Sequence, residues 1–291
     1  MKIANLAVLS LLLLNPSLGF ADSKQEEGKF EYTKTEVKGA ISMLSGSGGN
    51  IAVLASEQGL LVVDNGFDKN KFALDEALAE FGETPTFILN THWHGDHTGG
   101  NESLGDAIIV AHENVRTRLA KGVAEKEIKP AKPAALPDVT YKEGTTIHFG
   151  DQTVSAVHFP VGHTDGDTVV FFEPAHVVHL GDLMFAGYFP YIDPSSGGSV
   201  AGYTKNVAAI IELIDDKTIV IPGHGNITNR EGLQRFYDMI VETSATIKSM
   251  KEAGKTLEDA TATGLSDKWQ GWGDFFIDEK RWISILWEGI E

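Results

Sequence analysis

Short apolar runs separated by glycines and polar turns dominate the first two thirds of the chain. Runs of this kind, rich in valine, leucine and isoleucine, are typical of buried β-strands. The pattern predicts strands at residues 30–37, 40–44, 51–55, 60–63, 86–89, 107–111, 154–158, 169–172, 177–180 and 218–221. The turn at Glu57-Gln58-Gly59 predicts a hairpin between two of them. The strands at residues 154–158, 169–172 and 177–180 are assigned to a second sheet.

Apolar residues at helical spacing predict four helices, at residues 70–81, 113–120, 199–214 and 229–251. Residues 121–137 contain three prolines and are interpreted as a solvated linker between two half-domains. The alternative places this connection over the edge of the active site. Aromatic side chains in the tail are expected to pack onto the domain, with a lid or dimer surface as the alternative. They are Trp269, Trp272, Trp282 and Trp287.

The N-terminus has the pattern of a secretory signal. Lys2 precedes an apolar stretch at residues 3–14, and small residues surround Ala21. The stretch is short for a membrane anchor, so residues 1–21 are predicted to be a signal peptide that is cleaved after Ala21. This predicts a periplasmic protein without stable membrane insertion. Residues 30–291 then form the functional domain, including a C-terminal helical extension.

Composition limits the partners and the sources of stability. The formal charge of −17 repels phosphate backbones, which argues against nucleic acid and favours a small-molecule substrate. The chain has no cysteine, so disulfides and cysteine metal ligands are excluded.

The segment with the most specific chemistry follows the strand at residues 86–89. It contains His92, His94, Asp96 and His97 in the order H-x-H-x-D-H. Imidazole and carboxylate ligands suit zinc and related divalent metals. Further ligand-type residues follow apolar runs and have a neighbouring glycine; they are His163, Asp182 and His224. One zinc takes about four ligands, so seven suit two metals with one shared carboxylate.

These motifs resemble the metallo-β-lactamase superfamily of dinuclear metallohydrolases. The matching motifs run from Asn90 to His224, and the general pattern extends from about residue 30 to residue 250. The resemblance implies an α/β fold, a four-layer αββα sandwich, and two Zn²⁺ ions per chain. It assigns His92, His94 and His163 to the first metal. It assigns Asp96, His97 and His224 to the second, with Asp182 bridging both.

Such a site implies hydrolysis by a metal-bound hydroxide that attacks the carbonyl of an ester, thioester, lactone or β-lactam. Asp96 is the expected catalytic residue, because it can ligate a metal and orient the hydroxide. Thr91, Thr164 and Asp167 are candidates for fixing the imidazole rings. Asp64 either belongs to the metal site or caps a turn, and the sequence leaves both open.

The substrate pocket is predicted from one loop and one neighbouring residue. Residues 183–204 are rich in aromatic and aliphatic side chains and contain no lysine or arginine. Phe185 and Tyr188 are expected to form a pocket wall, and Asn226 could donate a hydrogen bond to a carbonyl. The remaining histidines are interpreted as ordinary surface or core residues; they are His112, His148, His158, His176 and His179.

Differences between this chain and the motifs of known subfamilies reduce the number of activities to consider. β-Lactamases with a cysteine ligand place that cysteine, with a lysine nearby, where this chain has Asp182. In this respect the chain is similar to glyoxalase II, lactonases and other general hydrolases of the superfamily. Glyoxalase II binds glutathione with basic residues, and the one expected soon after Gly181-Asp182 is missing here. The alternative activity is an iron-dependent persulfide dioxygenase-like oxygenase. A third hypothesis is a non-catalytic zinc-binding protein. The sequence does not determine the substrate, the metal in vivo or the oligomeric state.

Overall fold

The computed structural model describes residues 30–122 and 128–290. The predicted signal peptide, residues 1–21, lies outside these residues and stays a prediction. Within the described ranges, no helix combines the length and the apolar character needed to cross a membrane.

The first sheet follows the chain from one edge to the other. Its strands are β1 (Thr33–Lys38), β2 (Ile41–Ser45), β3 (Ile51–Ser56), β4 (Gly59–Val63), β5 (Pro85–Asn90), β6 (Ile108–His112) and β7 (Val139–Tyr141). Neighbours from β1 to β4 are antiparallel, whereas β4 to β7 are parallel. The parallel strands bring the ends of β4 and β5 to one edge, where the ligand loop begins.

The strands of the second sheet are β8 (Gly144–Phe149), β9 (Gln152–His158), β10 (Thr168–Glu173), β11 (Val177–His179), β13 (Ile219–Ile221) and β15 (Thr228–Asn229). They lie in the order β15-β13-β11-β10-β9-β8. Two short strands, β12 (Phe185–Ala186) and β14 (His224–Gly225), form a separate parallel pair. This pair places Phe185 beside His224.

Helices lie on the outer faces of the two sheets, apart from one short helix that belongs to the loop after β5. In chain order they are α1 (Lys71–Ala79), α2 (Gly95–Thr98), α3 (Glu113–Lys121), α4 (Val200–Leu213), α5 (Arg230–Glu252), α6 (Leu257–Thr263) and α7 (Glu279–Gly289). The side chains of Ser199 and Asn229 accept hydrogen bonds from the backbone N–H groups of Gly202 and Gly232, which fixes where α4 and α5 begin.

Alternation along the strands separates the layers. In β4, Leu61 and Val63 belong to the apolar core between the sheets, whereas Leu60 and Val62 pack with α1. In β10, Val170 and Phe172 lie between the sheets, and Val169 packs in the core formed with α4, α5 and α7. The layers therefore follow the order α/β/β/α, and the predicted four-layer sandwich is confirmed.

The linker interpretation of residues 121–137 was wrong. Both ends of this connection belong to the first half, because α3 precedes it and β7, which the strand prediction missed, returns to the first sheet. Its described part is held to the domain: Ala131 N–H donates to the carbonyl of Leu119, and Asn101 donates to the carbonyl of Ala135. Residues 123–127 lie outside the described residues.

The expected packing of the tail is confirmed. Trp269, Trp272 and Trp282 are buried in the core of the second half, and Trp287 packs against that core. Helix α7 contacts both α5 and α6, and the indole N–H of Trp282 donates to the hydroxyl of Thr243 on α5.

Candidate metal centre

Seven candidate ligands come from loops that leave the ends of neighbouring strands. His92, His94, Asp96 and His97 lie between the end of β5 and α2. The other three follow strands of the second sheet: His163 follows β9, Asp182 follows β11, and His224 follows β13. The structure brings all seven together in two groups of ligand atoms, each within 4.8 Å of one another.

The first group contains three imidazoles and one carboxylate oxygen. His94 Nδ1 lies 3.1 Å from His92 Nε2 and 2.9 Å from His163 Nε2. Asp182 Oδ2 lies 3.4 Å from His163 Nε2 and 3.8 Å from His92 Nε2. Four lone-pair atoms therefore converge on one point, as a tetrahedral metal site requires.

The second group uses the other oxygen of the same carboxylate. Asp182 Oδ1 lies 3.0 Å from His97 Nε2 and 3.3 Å from His224 Nε2. Asp96 Oδ2 completes the group, 3.6 Å from His97 Nε2 and 3.4 Å from His224 Nε2. Asp182 thus presents one oxygen to each group, which is the geometry of a bridging ligand.

The residues present fit metal ions better than a hydrogen-bonded network. Among the described residues, His97 Nε2 and Asp182 Oδ1 are buried and lie 3.0 Å apart, yet neither makes a hydrogen bond of acceptable geometry with the other or with a third atom. Buried polar atoms rarely stay unpaired in folded proteins, so a cation is the fitting partner for both. A Cβ atom at Gly49 would overlap the His97 ring, and one at Gly223 would overlap Asp182 Oδ1. Both glycines therefore leave the space that the ligands occupy.

The contacts of Asp64 favour a role beside the candidate ligands over a role in capping a turn. Its buried carboxylate lies 2.7 Å from His97 Nδ1, and it accepts hydrogen bonds from the backbone N–H and the hydroxyl of Thr91. The Thr91 hydroxyl in turn lies 3.1 Å from His92 Nδ1. Asp64 has a φ of 61°, a conformation that non-glycine residues rarely adopt. The strained residue therefore orients one imidazole in each ligand group.

Two further contacts orient the ligands of the first group. His94 Nε2 lies 3.1 Å from Asp193 Oδ2, and the same carboxylate oxygen accepts a hydrogen bond from the Ser196 hydroxyl. His163 Nδ1 lies 2.8 Å from the carbonyl oxygen of Tyr191. The sequence offered only a weak signal for Asp193, since an Asp-Pro-Ser-Ser cluster is ordinarily a turn.

Thr164 and Asp167 act on the backbone of the ligand loop and not on the imidazole that they were expected to fix. The backbone N–H of His163 donates to Asp167 Oδ2 at 2.7 Å. The Thr164 hydroxyl donates to Asp167 Oδ1 at 2.6 Å. Together they fix the turn that carries His163 into the centre.

Charge in the second ligand group is shared between acids and imidazoles. Burial opposes the positive charge on His224 and His97, but the carboxylates of Asp182 and Asp96 outweigh it. They raise the pKa of His224 to about 9 and the pKa of His97 well above its usual value. Burial likewise opposes ionisation of Asp96, yet the two histidines lower its pKa to about 2.

In the first ligand group, the pKa values of the buried histidines His92 and His163 are shifted in the opposite direction, downward. Burial lowers the pKa of His163 to about 4, and burial together with the nearby His97 lowers the pKa of His92 well below its usual value. At neutral pH these two imidazoles are uncharged and offer free lone pairs. The second group instead carries protons that a metal must displace.

Comparison with known proteins places these residues in a family. The family model of the metallo-β-lactamase superfamily matches residues 44–224, which include every candidate ligand. The chain belongs to the metallo-β-lactamase superfamily. This confirms the family that the sequence motifs indicated.

Similar members of the superfamily carry more than one activity in their names. The metallo-β-lactamase type 2 of Bacillus cereus is 24% identical over 193 residues, which is 66% of this chain and 72% of the relative. The acyl-coenzyme A thioesterase MBLAC2 of Gallus gallus is 25% identical over 222 residues, which is 66% of this chain and 78% of the relative.

Solved structures of the superfamily fold agree with the architecture. The DIM-1 metallo-β-lactamase aligns with a TM-score of 0.60 at 20% identity, over 72% of this chain and 97% of that one. The sec-alkyl sulfatase PisA1 aligns with a TM-score of 0.66 at 14% identity, over 89% of this chain and 51% of that one. At such identities the likeness shows the fold alone.

A cavity of about 790 Å³ opens over the two ligand groups. Asp96, Asp182, His94 and His224 line its floor. Its walls come from four parts of the chain, and they contain Gly46, Ser47, Gly48, Phe67, Phe185, Tyr191, Asp274, Phe275 and Phe276. Among the described residues that line the cavity, none is a lysine or an arginine.

Phe185 is the only one of the three expected pocket residues that the structure places on the cavity wall. Tyr188 lies behind the wall, with its ring 4.9 Å from that of Phe275. Asn226 is exposed and does not line the cavity, because the chain turns away after β14. The sequence reasoning missed Phe67, Phe275 and Phe276, which lie far from the motifs along the chain.

Among the remaining histidines, His179 has a supporting contact. Its ring is buried, its Nε2 lies 3.1 Å from the carbonyl of Asn50, and its Nδ1 accepts from the backbone N–H of Gly181. It therefore helps to hold the turn that carries Asp182. His112 and His158 stack at 3.7 Å outside both ligand groups.

Proposed function

We propose that this chain is a dinuclear zinc hydrolase that cleaves a neutral acyl compound: an ester, thioester, lactone or β-lactam. The observation that carries the proposal is the position of Asp182, which gives one carboxylate oxygen to each ligand group. Nitrogen-rich sites of this kind suit zinc, and a carboxylate between two sites suits a metal pair. We further propose that the mature enzyme is periplasmic, because its sequence begins with a secretory pattern.

Zinc bound at these ligands would supply an activated water near neutral pH and a Lewis acid for the carbonyl oxygen. The chain's own residues orient the reactants. Asp96 is the more accessible carboxylate, with 22% of its side chain exposed against 5% for Asp182. Because its pKa is about 2, Asp96 is ionised at neutral pH and can accept a hydrogen bond from the attacking water.

The walls support a neutral substrate with an apolar arm. Five phenylalanine or tyrosine side chains line the cavity together with Asp274; they are Phe67, Phe185, Tyr191, Phe275 and Phe276. A substrate carboxylate would meet no cationic side chain among the described lining residues. β-Lactams and acyl-coenzyme A thioesters, which appear in the names of two relatives, are both cleaved at a carbonyl carbon.

A substrate comparison tests this proposal. Specificity constants for a neutral chromogenic ester, a lactone, a thioester and a carboxylated cephalosporin are measured at one ionic strength. We expect the best neutral substrate to exceed the cephalosporin by about tenfold or more, which is about the free energy of one unpaired polar contact. A clear preference for the cephalosporin would contradict the proposal and would place a cation, such as one from residues 121–132, over the site.

Zinc content should depend on pH in two stages. His97 and His224 are protonated at neutral pH before metal binds, so zinc must displace about two protons from the second group. His92 and His163 are already neutral, so these two ligands release none. Protons compete with zinc at His224 below its pKa of about 9, but at His163 only below about 4, so the second group should lose zinc first as the pH falls between these values.

Calorimetry in buffers of different ionisation enthalpy measures these protons as zinc is added to the metal-free protein. Dialysis at each pH, followed by elemental analysis, measures the occupancy. Simultaneous loss of both ions, or zinc uptake without proton release, would contradict the assigned protonation states.

A further inference from the structure

The segment between α6 and α7 presents two phenylalanines at the mouth of the cavity. Phe275 is 47% exposed and Phe276 is 70% exposed, although both line the space above the candidate ligands. Both residues lie beyond residues 44–224, the part of the chain that matches the superfamily. Their place at the site is therefore a feature of this chain's C-terminal extension.

Buried residues on both sides hold these two rings in place. Trp272 is buried against Phe236, and its carbonyl accepts a hydrogen bond from the backbone N–H of Phe189 at 2.9 Å. Ile277, immediately after Phe276, is buried in the same core. These anchors on both sides hold the backbone of the intervening residues over the cavity. The apolar surface of the two rings is therefore exposed there before any ligand binds.

The two rings lie close to the candidate ligands and to two tyrosines of the segment that follows Asp182. The Phe275 ring lies 5.5 Å from the ring of the ligand His224 and 4.9 Å from that of Tyr188. The Phe276 ring lies 5.9 Å from that of Tyr191 in an edge-to-face arrangement. Tyr191 in turn lies 6.0 Å from the ligand His94. An apolar arm of a substrate that lies against the two phenylalanines would therefore begin at the metal centre.

We infer that Phe275 and Phe276 form an aromatic clamp that binds an uncharged, apolar arm of the substrate and sets the enzyme's preference for arm length. This inference rests on the proposed hydrolase function and adds to it the substrate class. Asp274 lies beside the clamp and also lines the cavity, so an anionic arm would be repelled. The clamp residues bind the substrate and take no part in bond cleavage.

The test uses binding to alkyl hydroxamates, which are neutral near pH 7, anchor to zinc through one end and carry a single arm. The zinc-loaded enzyme is titrated with acetohydroxamate and with octanohydroxamate by calorimetry. We expect affinity to rise about twofold for each added methylene, half of the logarithmic gain for full burial, because the cavity is open on one side.

The Phe275→Ala/Phe276→Ala double variant should lose about tenfold in affinity for octanohydroxamate and stay within about twofold for acetohydroxamate. The matched control is Phe72→Ala, which removes a ring that is 74% exposed on α1 and does not line the cavity. It should leave both affinities unchanged. Thermal unfolding of each variant shows whether the fold is retained.

Two results would overturn the clamp. Affinity that rises equally with arm length in the double variant would show that the arm binds elsewhere. Equal loss for both hydroxamates would show a structural role at the metal centre. Because binding needs no turnover, a wild-type enzyme that hydrolyses no acyl substrate would contradict the proposed function alone and leave the result on the clamp standing.

Discussion

Replacing Asp182 with alanine should lower turnover of an acyl substrate about a thousandfold and weaken metal binding in both ligand groups. The carboxylate gives one oxygen to each group, and it is surrounded by four histidines within 3.8 Å. Removing one partner from a buried charged set costs about 3–5 kcal/mol. The metal centre bears this cost, so metal affinity should fall by about two to four orders of magnitude, at a factor of ten for each ~1.4 kcal/mol. Turnover falls with it, because the activated water depends on the metals.

Two further variants make the Asp182 result specific. Asp182→Asn keeps the shape but offers an oxygen to only one ligand group, so it should retain metal in that group alone. Asp216→Ala removes a carboxylate that is 93% exposed and far from the centre, and it should behave as the wild type. Elemental analysis and steady-state kinetics are compared with circular dichroism. Unchanged metal content and activity in Asp182→Ala would show that this carboxylate is only structural.

Asp96→Ala should lower turnover about a hundredfold even when excess zinc restores full occupancy. Asp96 contributes one oxygen to the second group and has the more exposed carboxylate at the cavity floor. Loss of a positioned proton acceptor typically reduces a rate by about 10²–10⁴. The variant should therefore combine weaker zinc binding with a rate defect that zinc cannot repair.

The measurement for Asp96 is turnover as a function of added zinc, with occupancy followed in parallel. Asp182→Asn provides the comparison, because its defect should be tied to occupancy. Complete recovery of the Asp96→Ala rate at saturating zinc would restrict this residue to metal binding.

Strands and helices could be predicted from the sequence wherever burial makes apolar residues recur at regular positions along the chain. Strands such as β4 alternate between two apolar cores, and α5 has one buried face, so their patterns are legible along the chain. Strand β8 was missed because one of its faces is largely exposed and its residues are mostly polar. Strand β7 has only three residues, too few for a pattern.

The residues of the site also fall into a group that the sequence predicts and a group that it does not. Candidate ligands at a strand end, such as His92 and His94, can be recognised from their spacing in the sequence, because one short loop carries several metal-binding side chains. The residues that orient or surround them are brought in by tertiary packing. Asp193 reaches His94 across a separation of 99 residues, and Phe275 comes from a segment beyond the family motifs. No local pattern marks such contacts in the sequence.

The most direct test of the metal centre is elemental analysis of the protein purified without added chelator. Because Asp182 joins two complete ligand groups, we expect close to two zinc ions per chain, and about one for a variant that loses the second group, such as His97→Ala/His224→Ala. A single tightly held iron per wild-type chain, with no zinc, would contradict the dinuclear hydrolase and favour the oxygenase alternative.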